Sequence, residues 1–291
     1  MTRFWIACWF ALGRLPFPVY RALTASVCAL LTLLLLLFAA ERRRVAMTNL
    51  ALCFPEKSFA RRLAWTARHI HLYLQTFLDR GWLWQADPAV VRSRVRVLNP
   101  EALAAVDLAT PTIFLAPHFL GLDAAWTRLC LDIDMVTMYS NQKNPSLNSL
   151  ILNGRSRLGA PLLLSRQQGI RPLISAMRQG KPLYYLPDMD FGERDSVFVT
   201  FFGVQAATVT AVARLSKMLK AQVVPVTTRY VHGRYDITVH PPLANFPRED
   251  EVESTQAINH AIESWVLDNT VQYLWLHKRF KTRPEGQPRI Y

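Results

Sequence analysis

The sequence predicts an α/β domain, a mixed β-sheet covered by helices, behind an N-terminal transmembrane or membrane-anchoring helix. Three observations predict it. Ala22 to Ala40 is uncharged and almost wholly apolar. From about Val95 onward, short apolar or β-branched runs alternate with helix-like stretches, and such alternation implies a sheet covered on both faces. Finally, 51 % of the residues are hydrophobic and only 19 % are charged, where a soluble domain typically carries about 25 % charge. A length of 291 residues suits one large domain with an appendage.

The first apolar piece, Phe4 to Leu12, carries Trp5 and Trp9, as an interfacial segment would. Pro16-Phe17-Pro18 breaks the chain before the second piece. Ala22 to Ala40 approaches the roughly 20 residues, at about 1.5 Å each, that a bilayer core requires. Glu41-Arg42-Arg43-Arg44 follows at once, against the single Arg21 at the other end. The positive-inside rule then places the C-terminal bulk in the cytoplasm. A cleaved signal peptide would have a shorter apolar region and no arginine cluster. A span and a monotopic anchor both remain compatible with the sequence. Residues 1–44 are therefore read as the anchor and 45–291 as the catalytic domain. Cys8, Cys28, Cys53 and Cys130 contain no C-x-x-C spacing, which argues against a zinc site or disulfide framework. Reduced thiols suit the cytoplasmic side.

After the arginines, Val45 to Leu52 continues as a short helix, broken by Cys53-Phe54-Pro55-Glu56-Lys57-Ser58. Phe59 to Trp84 has helical periodicity, with Leu63, Ala67, Ile70, Leu74, Phe77 and Leu78 recurring at intervals that keep one face apolar. Strands are expected at Val95–Leu98, Thr112–Leu115, Met135–Met138, Leu183–Leu186, Val223–Thr227 and Ile237–Val239. Helices are expected at Asp123–Leu131, Ser146–Leu158, Ile170–Gln179, Val209–Leu219 and Gln256–Leu267. The balance of 34 Lys and Arg against 21 Asp and Glu, net +13, attracts anions. No zinc-finger spacing or long basic tract points to nucleic acid, so the apolar composition favours anionic lipid and acidic protein partners.

Thr112 to Asp123 reads TIFLAPHFLGLD. An apolar strand ends at Ala116-Pro117, His118 follows, and a helix begins near Asp123. Polar residues at such strand ends sit where α/β folds hold ligands. On a regular helix, positions five apart point about 140° from each other. His118 and Asp123 can meet only across a turn, for which Gly121 supplies freedom. The Asp123 carboxylate would then fix the imidazole tautomer, leaving the other nitrogen to take a proton from a substrate hydroxyl. The plainer reading has Asp123 stabilising the first turn of its helix and His118 as a satisfied loop residue. The spacing alone does not separate the two.

Further motifs give the pattern a family. They are Asn49-Leu50 with Cys53-Phe54-Pro55-Glu56, Ala116-Pro117-His118-Phe119 with Asp123, and Asn144-Pro145. Arg155-Ser156-Arg157-Leu158-Gly159, Leu186-Pro187-Asp188-Met189-Asp190, Phe201-Phe202-Gly203 and Ala206-Ala207-Thr208 follow. The last is the long run from Gln272 through His277-Lys278-Arg279-Phe280-Lys281-Thr282-Arg283 to Gly286. Over most of its length the chain resembles the late acyltransferases of lipid A biosynthesis in Gram-negative bacteria, within the wider lysophospholipid acyltransferase superfamily. Met189 departs from the Gln or His expected at that place in the family pattern.

The resemblance implies an acyl thioester on acyl carrier protein, transferred to a hydroxyl of a hydroxyacyl chain on a lipid A precursor. His118 is then the general base and Asp123 its orienter. Arg155 or Arg157 would stabilise the oxyanion, as guanidinium stays charged and forks onto oxygens, or would bind a phosphate; the sequence does not choose between them. Asp188 and Asp190 are candidates for sugar hydroxyls or for holding an arginine. Lys278, Arg279, Lys281 and Arg283 are candidates for contact with glycolipid phosphates, the membrane or the acidic carrier, with a structural cap as the alternative. No metal is expected: His69 and His71, two apart on a helix, face different ways. No cofactor is expected beyond the phosphopantetheine of acyl carrier protein. The implied setting is the inner membrane, with the catalytic domain on its cytoplasmic face. One rival, a glycerophospholipid acyltransferase, usually carries an F-P-E-G-like block after the histidine motif. Here Phe54-Pro55-Glu56 lies upstream and Leu186-Pro187-Asp188 holds the later position. The other rival is a non-catalytic, membrane-tethered binder of anionic lipid.

Overall fold

In the computed structural model, which describes residues 2–291, a helical N-terminal part precedes the first strand. Helices α1 (Thr2–Gly13) and α2 (Phe17–Phe38) are separated at Pro16, and Pro18 falls in the first turn of α2, where its missing N–H is not needed. Helix α3 (Ala40–Cys53) leads to α4 (Phe59–Leu83), whose N-cap Ser58 accepts from the Arg61 N–H. Helix α2 lies antiparallel on α4. The Tyr20 hydroxyl donates to Asp79 at 2.9 Å and Gln75 Nε2 to the Thr24 hydroxyl at 3.2 Å. The buried residues of α2 are Tyr20, Thr24, Cys28 and Thr32, a four-residue spacing that puts them on one stripe.

Helix α5 (Pro88–Arg94) runs into β1 (Val95–Val97), and α6 (Pro100–Ala104) leads to β2 (Thr112–Leu115). Then come α7 (Leu122–Leu129), β3 (Val136–Tyr139), α8 (Pro145–Arg155), β4 (Leu162–Ser165), α9 (Arg171–Arg178) and β5 (Leu183–Tyr185). The hairpin β6 (Ser196–Phe201) and β7 (Val204–Val209) precedes α10 (Ala211–Leu219), β8 (Gln222–Val231), β9 (Arg234–Val239) and α11 (Glu251–Asp268). Seven strands form the main sheet in the order β1-β9-β8-β2-β5-β3-β4. All neighbours are parallel except β8 and β9. The sheet is therefore mixed and helix-flanked, as expected.

Strand β2 is buried at all four residues. Ile113 and Leu115 enter one core with Leu183, Val223 and Met177, and Phe114 enters another with Tyr184, Val224 and Trp126. Alternate side chains point to opposite faces, so both faces are covered. Strand β4 and the β6–β7 hairpin were not among the expected strands. The hairpin turns at Phe202-Gly203, both with positive φ (51° and 75°), as a tight turn matched to strand twist requires. Val209 accordingly ends a strand, and the helix expected from there begins at Ala211.

Candidate active site

Strands β2 and β5 are adjacent and parallel, with Leu115 opposite Tyr185. The chain leaves both in the same way. Leu115 is followed by Ala116-Pro117-His118, and Tyr185 by Leu186-Pro187-Asp188. The Ala116 N–H donates to the Tyr185 carbonyl at 2.8 Å, so the two exits stay in step. Three residues beyond the paired positions, His118 faces Asp188. Its Nδ1 lies 2.7 Å from Asp188 Oδ1, and its backbone N–H donates to Oδ2 at 2.9 Å. The chain passes from β2 towards β3 and β4 on one side and from β5 to β8 on the other. The crevice between β2 and β5 is thus a topological switch point, where open α/β sheets hold their ligands.

Asp188 is buried. Burial pushes its carboxyl up, but the His118 imidazole, two hydrogen bonds from His118 and the nearby Arg279 bring it net below its ordinary value. An ionised carboxylate can only accept, so Nδ1 carries the proton and Nε2 is left with its lone pair. Among the described residues Nε2 has no hydrogen-bond partner.

Asp123 is not the partner of His118. It is the second residue of α7, and each of its oxygens takes a guanidinium: Arg80 Nε at 2.6 Å on Oδ2 and Arg155 Nε at 2.7 Å on Oδ1. This corrects the expectation that Asp123 orients the imidazole. Helix α7 begins directly after Gly121 and directs the carboxylate towards α4 and α8 instead. Gly121 has φ −85°, so it supplies no unusual turn. A Cβ there would stand 2.5 Å from Thr228 Cγ2 and 3.0 Å from Tyr235 Cδ1, and the glycine lets the turn pack against β8 and β9. Burial raises the Asp123 carboxyl, but Arg155 and Arg80 overcome this and hold it at about 2. The ion triad carries a net single positive charge.

Of the two arginines left open by the sequence, Arg155 is in the site. It ends α8, and its carbonyl accepts from Trp126 Nε1 at 2.9 Å. Arg157 points elsewhere and donates to the Ala86 carbonyl. Arg80 was not expected. It carries no local signal, because its partner is 43 residues away.

His118, Arg80, Asp123 and Arg155 line one cavity of about 990 Å³, at the upper end of ordinary ligand pockets. Part of its lining is apolar, with Ile170, Leu173, Tyr185, Leu215 and Met218. The remaining expected contacts fall outside it. Asp190 is buried and accepts from the Thr282 N–H and hydroxyl, both at 2.7 Å, so it ties the C-terminal run to the loop after β5. The backbone N–H of Asp190 donates to His277 Nε2 at 3.0 Å. Arg279 is only 3 % exposed and donates to the Ala207 carbonyl and the Thr208 hydroxyl. Both side chains are spent inside the protein, which corrects their expected substrate contact: the segment from Tyr273 to Arg283 frames the β5 exit. Lys278 pairs with Glu41 at 3.0 Å, Lys281 lies 4.0 Å from Asp190, and Arg283 donates to the Gln205 carbonyl.

Comparison with known proteins is consistent along the whole chain. A family model described as bacterial lipid A biosynthesis acyltransferase matches residues 1–282. A lipid A biosynthesis lauroyltransferase of Escherichia coli (strain K12) is 31 % identical over 299 aligned positions, covering 99 % of this chain and 95 % of that protein. A lipid A biosynthesis myristoyltransferase of the same organism is 34 % identical over 254, covering 86 % and 78 %. A palmitoleoyltransferase, also from that organism, is 27 % identical over 299, covering 99 % and 95 %.

Proposed function

Since this chain belongs to the bacterial lipid A biosynthesis acyltransferase family, we propose that it moves a fatty acyl chain from acyl carrier protein to a lipid A precursor, using a His118–Asp188 pair. The acceptor is a hydroxyl on a hydroxyacyl chain of the precursor. His118 Nε2 takes the hydroxyl proton while the oxygen attacks the thioester carbonyl. The imidazolium that forms is stabilised by the Asp188 carboxylate. The tetrahedral oxyanion faces the guanidiniums of Arg155 and Arg80, which Asp123 holds rigidly in place. Collapse breaks the C–S bond, and the proton on Nε2 passes to the departing phosphopantetheine thiol. The products are an acyloxyacyl ester and free carrier protein. The apolar lining residues Leu173, Tyr185, Leu215 and Met218 accommodate the acyl chain.

The observation that carries this reading is the 2.7 Å hydrogen bond that His118 Nδ1 donates to Asp188, beside the doubly held guanidinium pair. The test uses purified protein in detergent with lauroyl-, myristoyl- and palmitoyl-carrier thioesters and a lipid A precursor, read by product mass. The expected result is a gain of one acyl group, lost in His118→Ala. No product from any donor, or full activity in His118→Ala, would overturn it.

A further inference from the structure

We propose that the N-terminal helices do not cross the bilayer: α1 and α2 lie in one leaflet of an anionic membrane, with both ends of α2 on the face that carries the catalytic domain. The argument rests on packing and charge and is independent of the acyl-transfer chemistry.

By length alone α2 is fit to span. It has 22 residues with mean hydropathy 2.1, about 33 Å of helix against a hydrocarbon core of about 30 Å. What it packs against forbids it. Near its start, Tyr20 is bonded to Asp79 of α4, which also accepts from Tyr235 of β9 at 2.7 Å. The Arg21 guanidinium stacks 5.3 Å from the Tyr230 ring and lies against Gly233 in the β8–β9 turn. Near the end of α2, Leu35 and Leu36 pack on the core that contains Leu50 and Ile70, and Arg43 donates to the Leu36 carbonyl. The catalytic domain therefore grips both ends of one helix. If α2 crossed, α4 with Arg68, His71 and Asp79 would cross beside it, and the β8–β9 hairpin would stand at the opposite interface. Charged side chains and open sheet edges are not carried through hydrocarbon in that way.

The rest of α2 says what covers it. Leu23, Leu30, Leu37 and Phe38 are exposed, as is Trp5 on α1. Exposed Arg14, Arg42, Arg44 and Arg61 stand on the neighbouring helices and turns. An apolar helix face bordered by arginines matches an anionic leaflet, acyl chains below and headgroups at the rim. A second copy of a chain with net charge +13 would bring the same arginines against themselves. The face also leads to the cavity: Trp9 of α1 stacks on Phe77 at 5.1 Å, and Tyr73, one turn earlier on α4, lines the cavity. A lipid acceptor can then enter without leaving its leaflet.

The test is the full chain carrying a protease-cleavable tag at each terminus, in sealed membrane vesicles of either orientation. Helix α1, about 18 Å long, is too short to move the N-terminal tag across. Both tags should be cut in the same preparation and both protected in the other. One tag cut in each preparation overturns the proposal. In flotation, phosphatidylglycerol vesicles should carry about fivefold or more protein than phosphatidylcholine vesicles, the effect of at least one surface arginine on anionic lipid. Equal flotation, or a lipid-free oligomer that stays at the bottom, counts against the leaflet as the covering surface.

Discussion

Asp123 shares its two oxygens between Arg80 and Arg155, so the arginines can sit side by side in one cavity without repelling each other apart. Removing Arg80 leaves Asp123 half-paired and, on the proposed mechanism, loses a charge aimed at the reacting carbonyl. Arg80→Ala should lower kcat/KM by about 10²-fold or more, the scale of losing one oxyanion donor. Arg80→Lys should recover only part of this, because an ammonium lacks the fork that reaches both carboxylate and substrate. Arg157→Ala should stay within about threefold of the parent, a change of under 1 kcal/mol in the barrier. Steady-state kinetics of the three variants checks the assignment. The sequence points to both arginines of Arg155-Ser156-Arg157 alike; only the end of α8, where Arg155 turns towards Asp123, separates them. Arg80 is invisible in the sequence, because its meaning comes from a contact between α4 and α7. His118 and Asp188, by contrast, are legible as polar residues just past Pro-marked strand ends. Their pairing is not legible, since it depends on β5 inserting beside β2. Asp123 attracts the assignment through its five-residue spacing from His118 and the family resemblance, neither of which reports the pairing in space.

Helix α4 packs against α2, α1, α3 and the C-terminal segment, and its buried polar residues record that load. His69 is fully buried. Its Nδ1 bonds the Val271 carbonyl at 2.9 Å, and Nε2 has no partner. Burial holds its pKa down to about 4, against an ordinary 6.5. A group depressed in the folded state lends stability that is present above about pH 6.5 and lost as pH falls through 4. The loss amounts to roughly 3 kcal/mol. Resistance to unfolding in detergent should therefore fall from pH 7 to pH 4, and His69→Gln should flatten that part of the curve. On α8, a Cβ at Gly154 would lie 2.3 Å from the buried Trp84 ring. Gly154→Ala should destabilise by about 1–3 kcal/mol through overpacking and lower kcat by displacing Arg155, read by thermal unfolding beside activity. Long periodic elements such as α4, and the apolar strands β2, β5 and β8, were readable from pattern. Strand β4 was not, because its Leu-Leu-Leu-Ser run carries none of the β-branched or aromatic residues that mark β2 and β5. In the β6–β7 hairpin, the half-buried strand β6 showed no clean alternation.

At the scale of the whole molecule, the site draws on α4, the β2 and β5 exits, α7 and α8, with the C-terminal run clamping Asp190 behind it. Two charge systems result. On the proposed mechanism, His118 with Asp188 handles the proton, and Asp123 with Arg80 and Arg155 handles the negative charge. The most direct measurement compares Asp188→Asn with Asp123→Asn in the acyl-carrier assay across pH. Asp188→Asn should lower kcat by about 10²-fold or more with KM little changed, because the amide no longer fixes the tautomer or stabilises the imidazolium. It should also move the acidic limb of the kcat profile to lower pH, since the imidazolium loses its counter-charge. Asp123→Asn should leave that limb where it is. An Asp188→Asn enzyme with parental kcat and pH profile, beside an Asp123→Asn enzyme whose acidic limb moves, would contradict the account and return the orienting role to Asp123.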